Sequence, residues 1–239
     1  MAWKDKLIIA LDVPTAEKAL SLVDMLGDDI NTYKVGFELF VASGPSIVQQ
    51  LHDKGKKVFL DLKFHDIPNT VSKASIVAAR LGVYMFNMHT SGGLNMMKRC
   101  RDKVDDICAK ENLRRPKMIG VTVLTSLNSE TLKNELCVQH GVKAQVKNLS
   151  TLAQKAGLDG VVASPQEISI IKNACGKDFL VVTPGIRPSW VPPDDQHRTA
   201  TPQSAIKEGA DYIVMGRGIL QHEDPVRALE LISLEILTA

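Results

Sequence analysis

Lys57-Val58-Phe59-Leu60-Asp61-Leu62-Lys63-Phe64-His65-Asp66-Ile67-Pro68-Asn69-Thr70 is one strand running into charge and then into a helix. The run 57–63 reads as a strand, in which side chains alternate faces, so Asp61 and Lys63 point the same way about 6–7 Å apart. Leu60, Leu62 and Phe64 take the opposite, apolar face. An acid and a base on one face of an apolar strand are costly unless they meet each other, water or a ligand. That cost marks a site at the C-terminal end of a strand.

The same unit recurs along the chain. Strands are expected at Lys6–Val13, Thr32–Gly36, Lys57–Lys63, Val83–His89, Pro116–Leu124, Gly160–Ser164, Phe179–Thr183 and Tyr212–Gly216. Between them fall helical patterns: from Pro14 to Gly27, Pro45 to Gly55, about Asn69–Gly82, about Gly93–Asn112, roughly Ser129–Ala156, from Pro165, Thr201–Gly209, and from about Pro225. Proline at helix starts and glycine at helix ends set the boundaries. Eight strand-then-helix units in 239 residues predict an α/β fold, a (β/α)8 TIM barrel, as a single domain over residues 1–239. The competing arrangement is an open doubly wound sheet. No GxGxxG follows the first strand, and the polar residues do not gather at one switch point. They end the strands instead: Asp12, Lys34, Asp61 and Lys63, His89, Thr122 and Thr125, Ser164, Thr183 and Arg217. Barrel enzymes build their active sites at that end.

Composition bounds the function classes. The chain carries 29 basic and 27 acidic residues, a formal net charge of +2, with 23% charged and 44% hydrophobic residues, ordinary for a soluble globular protein. No basic cluster interleaved with aromatics points to nucleic acid. The apolar run after Met1 is too short and too soon broken by charge for a signal peptide, and no stretch approaches the roughly 18 residues of a membrane span. Cys100, Cys108, Cys137 and Cys175 lack CxxC spacing, which fits a reducing, cytoplasmic location.

Lys34, Asp61, Lys63 and Asp66 form a candidate array of two cations and two anions. As structure alone, such an array staples two strands; in a cleft it is a functional candidate. A lysine between carboxylates stays protonated, which suits a proton donor and anion stabiliser but not Schiff-base chemistry, which needs a neutral amine. Asp61, His65 and Asp66 also offer ligands for a metal, though Lys63 between them would repel a divalent ion. A second region, Thr183-Pro184-Gly185-Ile186-Arg187, then Gln196, then Gly216-Arg217-Gly218, follows strands seven and eight. Barrels commonly bind phosphate there, and glycine-exposed amides with a guanidinium fork match a phosphate dianion. Singly, Arg187 reads as a surface arginine and Gly216-Arg217-Gly218 as a tight turn; together they point to phosphate.

Asp61-x-Lys63-x-x-Asp66-Ile67-x-Asn69-Thr70 resembles the signature of the orotidine 5′-phosphate decarboxylase family. Ala10-Leu11-Asp12, Tyr33-Lys34-Val35-Gly36, Val121 to Ser126, Thr183 to Arg187 and Gly216-Arg217 are similar to that family's other blocks, in the same order. The resemblance runs from Leu7 to Pro225 and is greatest to the short, monofunctional bacterial form. DxKxxD alone is shared with metal-dependent sugar-phosphate decarboxylases, and the flanking blocks discriminate.

The resemblance implies cofactor-free and metal-free conversion of orotidine 5′-monophosphate to uridine 5′-monophosphate, the last step of de novo pyrimidine nucleotide synthesis, by a homodimer whose sites are completed across the interface. It implies Lys63 as proton donor to C6, Asp61 near the departing carboxylate, and Lys34 bridging the acidic groups and the ribose. Asp66, Ile67 and Thr70 are expected from the neighbouring subunit. Asp12 is expected at the ribose hydroxyls, Thr125 at the pyrimidine edge and Pro184 near the base. Gln196, Arg217 and Gly216 are expected at the phosphate, with Arg187 in the same loop, and phosphate binding would drive closure around residues 184–200. The alternatives are a magnesium-dependent sugar-phosphate decarboxylase or synthase, and a non-catalytic phosphate-ligand binding barrel.

Overall fold

The computed structural model describes residues 3–188, 190–191 and 199–237. Eight parallel strands, β1 (Leu7–Ala10), β2 (Thr32–Val35), β3 (Lys57–Phe64), β4 (Met85–His89), β5 (Lys117–Val121), β6 (Gly160–Val162), β7 (Leu180–Thr183) and β8 (Tyr212–Met215), close into a barrel in sequence order. β8 pairs back onto β1. This is the (β/α)8 barrel that the alternating units predict, and the open sheet is excluded by the closure.

The helices are α1 (Trp3–Lys6), α2 (Ala16–Leu26), α3 (Phe37–Ser43), α4 (Ser46–Asp53), α5 (Pro68–Arg80), α6 (Gly93–Glu111), α7 (Ser129–Asn134), α8 (Val142–Lys155), α9 (Ile168–Cys175), α10 (Pro202–Lys207), α11 (Arg217–Leu220) and α12 (Pro225–Leu237). Among the described residues, none is long and apolar enough to cross a membrane. Local chemistry sets many of the ends. Thr15 accepts a hydrogen bond from the Lys18 amide at the start of α2, and Asn128 and Thr201 cap α7 and α10 likewise. Each satisfies a backbone donor that the first helical turn leaves unpaired. Pro68 occupies the first turn of α5, where its missing N–H costs nothing.

Several boundaries differ from the sequence expectation: β1 and β5 end at Ala10 and Val121 rather than Val13 and Leu124, β6 ends at Val162 rather than Ser164, and β4 starts at Met85 rather than Val83. The segment after β2 already forms α3, which starts directly at Gly36 with no polar side-chain cap. The helical pattern 129–156 divides into α7 and α8, and Cys137 between them has a left-handed φ of 56°. β8 ends at Met215, and Gly216 already leads into α11.

Two apolar layers follow from strand alternation. Outward residues such as Leu7, Ile9, Tyr33, Val35 and Leu60 pack beneath the helices. Inward residues, among them Ile8, Phe59, Met85, Ile119, Val182 and Val214, fill the barrel. The floor is closed by Tyr84 and Tyr212, whose hydroxyls lie 2.7 Å apart. With floor and middle filled among the described residues, the barrel opens to a ligand at its C-terminal mouth.

Candidate active site

The mouth holds a cavity of about 280 Å³ whose lining includes Asp12, Lys34, Asp61, Lys63, Thr125, Pro184, Arg187, Gly216 and Arg217. Its apolar wall comes from Val121, Val123, Val162, Ile186 and Val214. A cleft that sets an apolar wall against a few convergent charged groups is a common form of small-molecule site.

Alternation along the strands brings the charges together. Ala10 faces into the barrel, so two residues on, past the end of β1, Asp12 reaches the mouth. Lys34 is the inward residue near the end of β2, and Phe59 places Asp61 inward on β3. The result is a continuous chain of opposite charges. Lys34 Nζ lies 2.8 Å from Asp12 Oδ1 and 3.4 Å from Asp61 Oδ2, and Lys63 Nζ lies 2.7 Å from Asp61 Oδ1. Only 11% of the Lys34 and of the Asp61 side chain is exposed. Burial opposes the charge on both, but the neighbours outweigh it. Lys34 is raised above the ordinary lysine value by Asp61 and Asp12. Asp61 is held below the ordinary carboxylate value by Lys34 and Lys63. Both groups stay ionised because each keeps the other's charge compensated.

Lys63 departs from the regular strand on which the sequence reading rests. The β3–β4 register shifts between Leu60 and Phe64, and Lys63 itself has φ 44°. A non-glycine residue held there costs on the order of 1–3 kcal/mol and persists only where its surroundings fix it. β-Bulges of this kind re-aim side chains beside active sites. Here the bulge carries the ammonium group toward both Asp61 and the exposed face of Phe37, 5.3 Å from its ring centroid.

Asn87 completes this arrangement and escaped the sequence reading. It lies on β4, 1% exposed. Its Nδ2 donates to Asp61 Oδ1 at 2.6 Å, and its Oδ1 accepts from the Lys63 amide at 2.8 Å. The signal was present: alternation puts Met85, Asn87 and His89 on one face of the fourth strand, and a polar amide in the middle of a buried strand needs partners.

The remaining expected residues divide into three groups. Asp66, Ile67 and Thr70 are exposed and do not line this chain's cavity. The Asp66 carboxylate accepts from the Ile67 amide at 2.6 Å, at the entrance to α5, so within one chain the fourth charge of the array is Asp12. Thr122, Ser164 and Thr183 end their strands without lining the cavity. Thr122 Oγ1 donates to the Val162 carbonyl, while Ser164 forms a capping box with Glu167. Gln196 lies outside the described residues.

The candidate metal ligands are not brought together. Asp61 is engaged with two lysines, and the His65 ring lies against His89 with centroids 5.3 Å apart. Burial, His65 and Lys63 together push the His89 imidazole below its ordinary value. Among the described residues, no three of His, Cys, Asp and Glu are gathered as a metal site.

A cavity with an apolar slot, three linked lysine–aspartate bridges and two arginines can hold an anionic heterocycle and a phosphate at once. Comparison with known proteins agrees with that geometry. Residues 5–232 match the family model described as "Orotidine 5'-phosphate decarboxylase / HUMPS family". Orotidine 5'-phosphate decarboxylase of Geobacter metallireducens is 48% identical over 234 residues, covering 98% of this chain and 97% of the relative. That of Moorella thermoacetica is 48% identical over 236 residues, covering 99% and 94%. The crystal structure of orotidine 5'-phosphate decarboxylase from Lactobacillus acidophilus superposes with a TM-score of 0.85 at 38% identity, covering 97% of this chain and 99% of that one. With a mouth of this composition and a match along nearly its whole length, the chain belongs to the orotidine 5'-phosphate decarboxylase / HUMPS family.

Proposed function

We propose that this protein decarboxylates orotidine 5′-monophosphate to uridine 5′-monophosphate in pyrimidine biosynthesis, without metal or organic cofactor. The observation that carries the reading is the Asp12–Lys34–Asp61–Lys63 chain of charges lining the same cavity as Arg187, Gly216 and Arg217. Loss of carbon dioxide from C6 leaves an electron pair on a ring carbon. Lys63 stabilises that charge and then delivers its proton to C6. At 4 Å and an effective dielectric of about 20, an ammonium group and a unit negative charge attract by about 4 kcal/mol, or about three powers of ten in rate. Asp61 sits against the departing carboxylate, and Lys34 holds Asp61 and Asp12 in place. Asp12 receives the ribose hydroxyls, Thr125 the pyrimidine edge and Pro184 the face of the base. Arg217, Arg187 and the Gly216 backbone hold the phosphate, together with Gln196. Phosphate contacts then supply binding energy that orients the reacting ring.

Asp66, Ile67 and Thr70 act in the site of a second copy of the chain, in a homodimer. Their position supports this: all three are exposed beside the array without lining this chain's cavity, and Ile67, a large apolar residue, is 66% exposed. A cytoplasmic location fits four free cysteines.

The test is to mix metal-stripped protein with orotidine 5′-monophosphate in EDTA and follow the ultraviolet absorbance change together with carbon dioxide release. Full turnover is expected. Turnover that requires added magnesium would favour a sugar-phosphate decarboxylase or synthase mechanism, and binding without turnover would reduce the protein to a phosphate-ligand binding barrel.

A further inference from the structure

We infer that Asn87 is a positioning residue for the decarboxylation, clamping the Asp61 carboxylate and the bulged Lys63 backbone into one rigid unit. The inference rests on the proposed reaction and adds to it a group that does not line the cavity.

The bulge poses a structural problem that Asn87 solves. Between Leu60 and Phe64 the regular β3–β4 pairing is broken, so in this segment the strand amides lose their usual partners on β4. A buried amide without a partner costs about 1–3 kcal/mol. The Asn87 side chain fills the gap: its Oδ1 takes the Lys63 N–H at 2.8 Å. The same side chain reaches Asp61 Oδ1 with Nδ2 at 2.6 Å. Its orientation is forced, because a backbone N–H can only donate and an ionised carboxylate can only accept. An uncharged side chain of that size offers one donor and one acceptor on a single planar group only as the asparagine amide or as an aspartic acid that keeps its proton.

The consequences reach the reacting atoms. Asp61 Oδ1 receives both Asn87 Nδ2 and Lys63 Nζ, at 2.6 and 2.7 Å, which leaves Oδ2 turned toward Lys34. Asn87 thus fixes the carboxylate torsion and, from the other side, the left-handed backbone that aims the lysine. Loss of either restraint lets the ammonium group wander from C6, and a misplacement of about 1 Å can cost about 100-fold in rate. Asn87 itself is 1% exposed and buried beneath these groups, so its loss acts on turnover and leaves the nucleotide contacts in place.

The experiment compares Asn87→Ala and Asn87→Asp with the unaltered protein, measuring kcat across pH and the affinity for uridine 5′-monophosphate. For Asn87→Ala, kcat is expected to fall about 100-fold while product affinity changes less than about threefold. For Asn87→Asp the introduced carboxyl group faces Asp61 within hydrogen-bond distance. It serves as a donor while protonated and repels Asp61 once ionised, so kcat should fall with rising pH over a range where the unaltered protein is flat. If Asn87→Ala does not fold, the pH profile of Asn87→Asp decides. An unchanged kcat for Asn87→Ala, a parallel loss of kcat and product affinity, or an Asn87→Asp profile superimposable on the original would each overturn the assignment. Absence of turnover in the unaltered protein would instead refute the reaction itself, a distinct result that removes the basis of this role.

Discussion

Replacing Lys63 by alanine separates the chemistry from the scaffold. The lysine ammonium lies 2.7 Å from Asp61 Oδ1, but Asp61 keeps Lys34 at 3.4 Å and Asn87 at 2.6 Å when that ammonium is gone. The carboxylate therefore stays compensated, and the barrel should fold. The Lys63 side chain is a quarter exposed and Asp61 keeps two other partners, so losing this bridge costs less than leaving a buried carboxylate uncompensated. Catalysis loses two contributions. The electrostatic one is about 4 kcal/mol, or a factor of about 10³. Proton donation by a positioned acid is worth a further 10²–10⁴ or so. Together, kcat of Lys63→Ala should fall by roughly five to seven powers of ten. Absorbance assays at high enzyme concentration, paired with calorimetric binding of uridine 5′-monophosphate, would measure both sides. Affinity for the product should change less than about tenfold, since the phosphate contacts lie across the cavity. Residual turnover above about one per cent, or collapse of product binding in step with kcat, would refute the role assigned to Lys63.

Arg217→Ala should raise the KM for orotidine 5′-monophosphate by about 10- to 100-fold, the worth of a charge-assisted hydrogen bond, and leave binding of the phosphate-free nucleoside unchanged; an equal effect on both would remove Arg217 from the phosphate site. Gly160→Ala tests the barrel. A Cβ there would meet the Leu180 carbonyl oxygen of β7 and stand 2.5 Å from Leu180 Cβ and 2.7 Å from its carbonyl carbon. Overpacking against backbone costs about 1–3 kcal/mol, so the Tm should fall by roughly 2–12 °C, and an unchanged Tm would contradict the packing. The array also fixes a pH window. Asp61 is depressed from 3.8, so its stabilising contribution is complete above that pH and is lost as pH falls through its lowered pKa. Lys34 is raised from 10.5, so its contribution is complete below that pH and is lost as pH rises through its raised pKa. His89, which feels the Asp61 charge, titrates below the ordinary histidine value of 6.5, so the unfolding free-energy difference between Asp61→Asn and the unaltered protein should be flat from about pH 7.5 to 9, and a slope there would contradict the charge states.

The barrel was legible because its signals are local and repeated. Most strands are short apolar runs rich in β-branched residues, and Pro68, Gly27 and Gly209 punctuate the helices where a one-dimensional reading can see them. Lys34 and Asp61 were legible for the same reason, since Phe59 facing inward carries Asp61 inward with it, whereas the expected fourth charge, Asp66, does not line this chain's cavity and Asp12 stands in its place. Alternation fails at Lys63, because a bulge depends on the partner strand and leaves no mark in the periodicity of its own. Asn87 was hidden by the same logic: its importance comes from an irregularity on a neighbouring strand. The helix α3 lacks a polar cap, so nothing in the sequence announces its start. Ser164 shows the opposite case. Ser164-Pro165-Gln166-Glu167 carries the spacing of a capping box, and a purely local role explains a residue that strand-end counting assigned to the mouth.

The central claim is that the stretch Asp61–Thr70 serves two active sites, Asp61 and Lys63 in their own chain and Asp66 to Thr70 in a second copy. Lys63→Ala and Asp66→Ala should each be inactive alone. Mixed under conditions that exchange subunits, they should regain about a quarter of the original activity, because half of the dimers are then mixed and each of those carries one intact site. A mixture no more active than the sum of its parts would contradict the shared site.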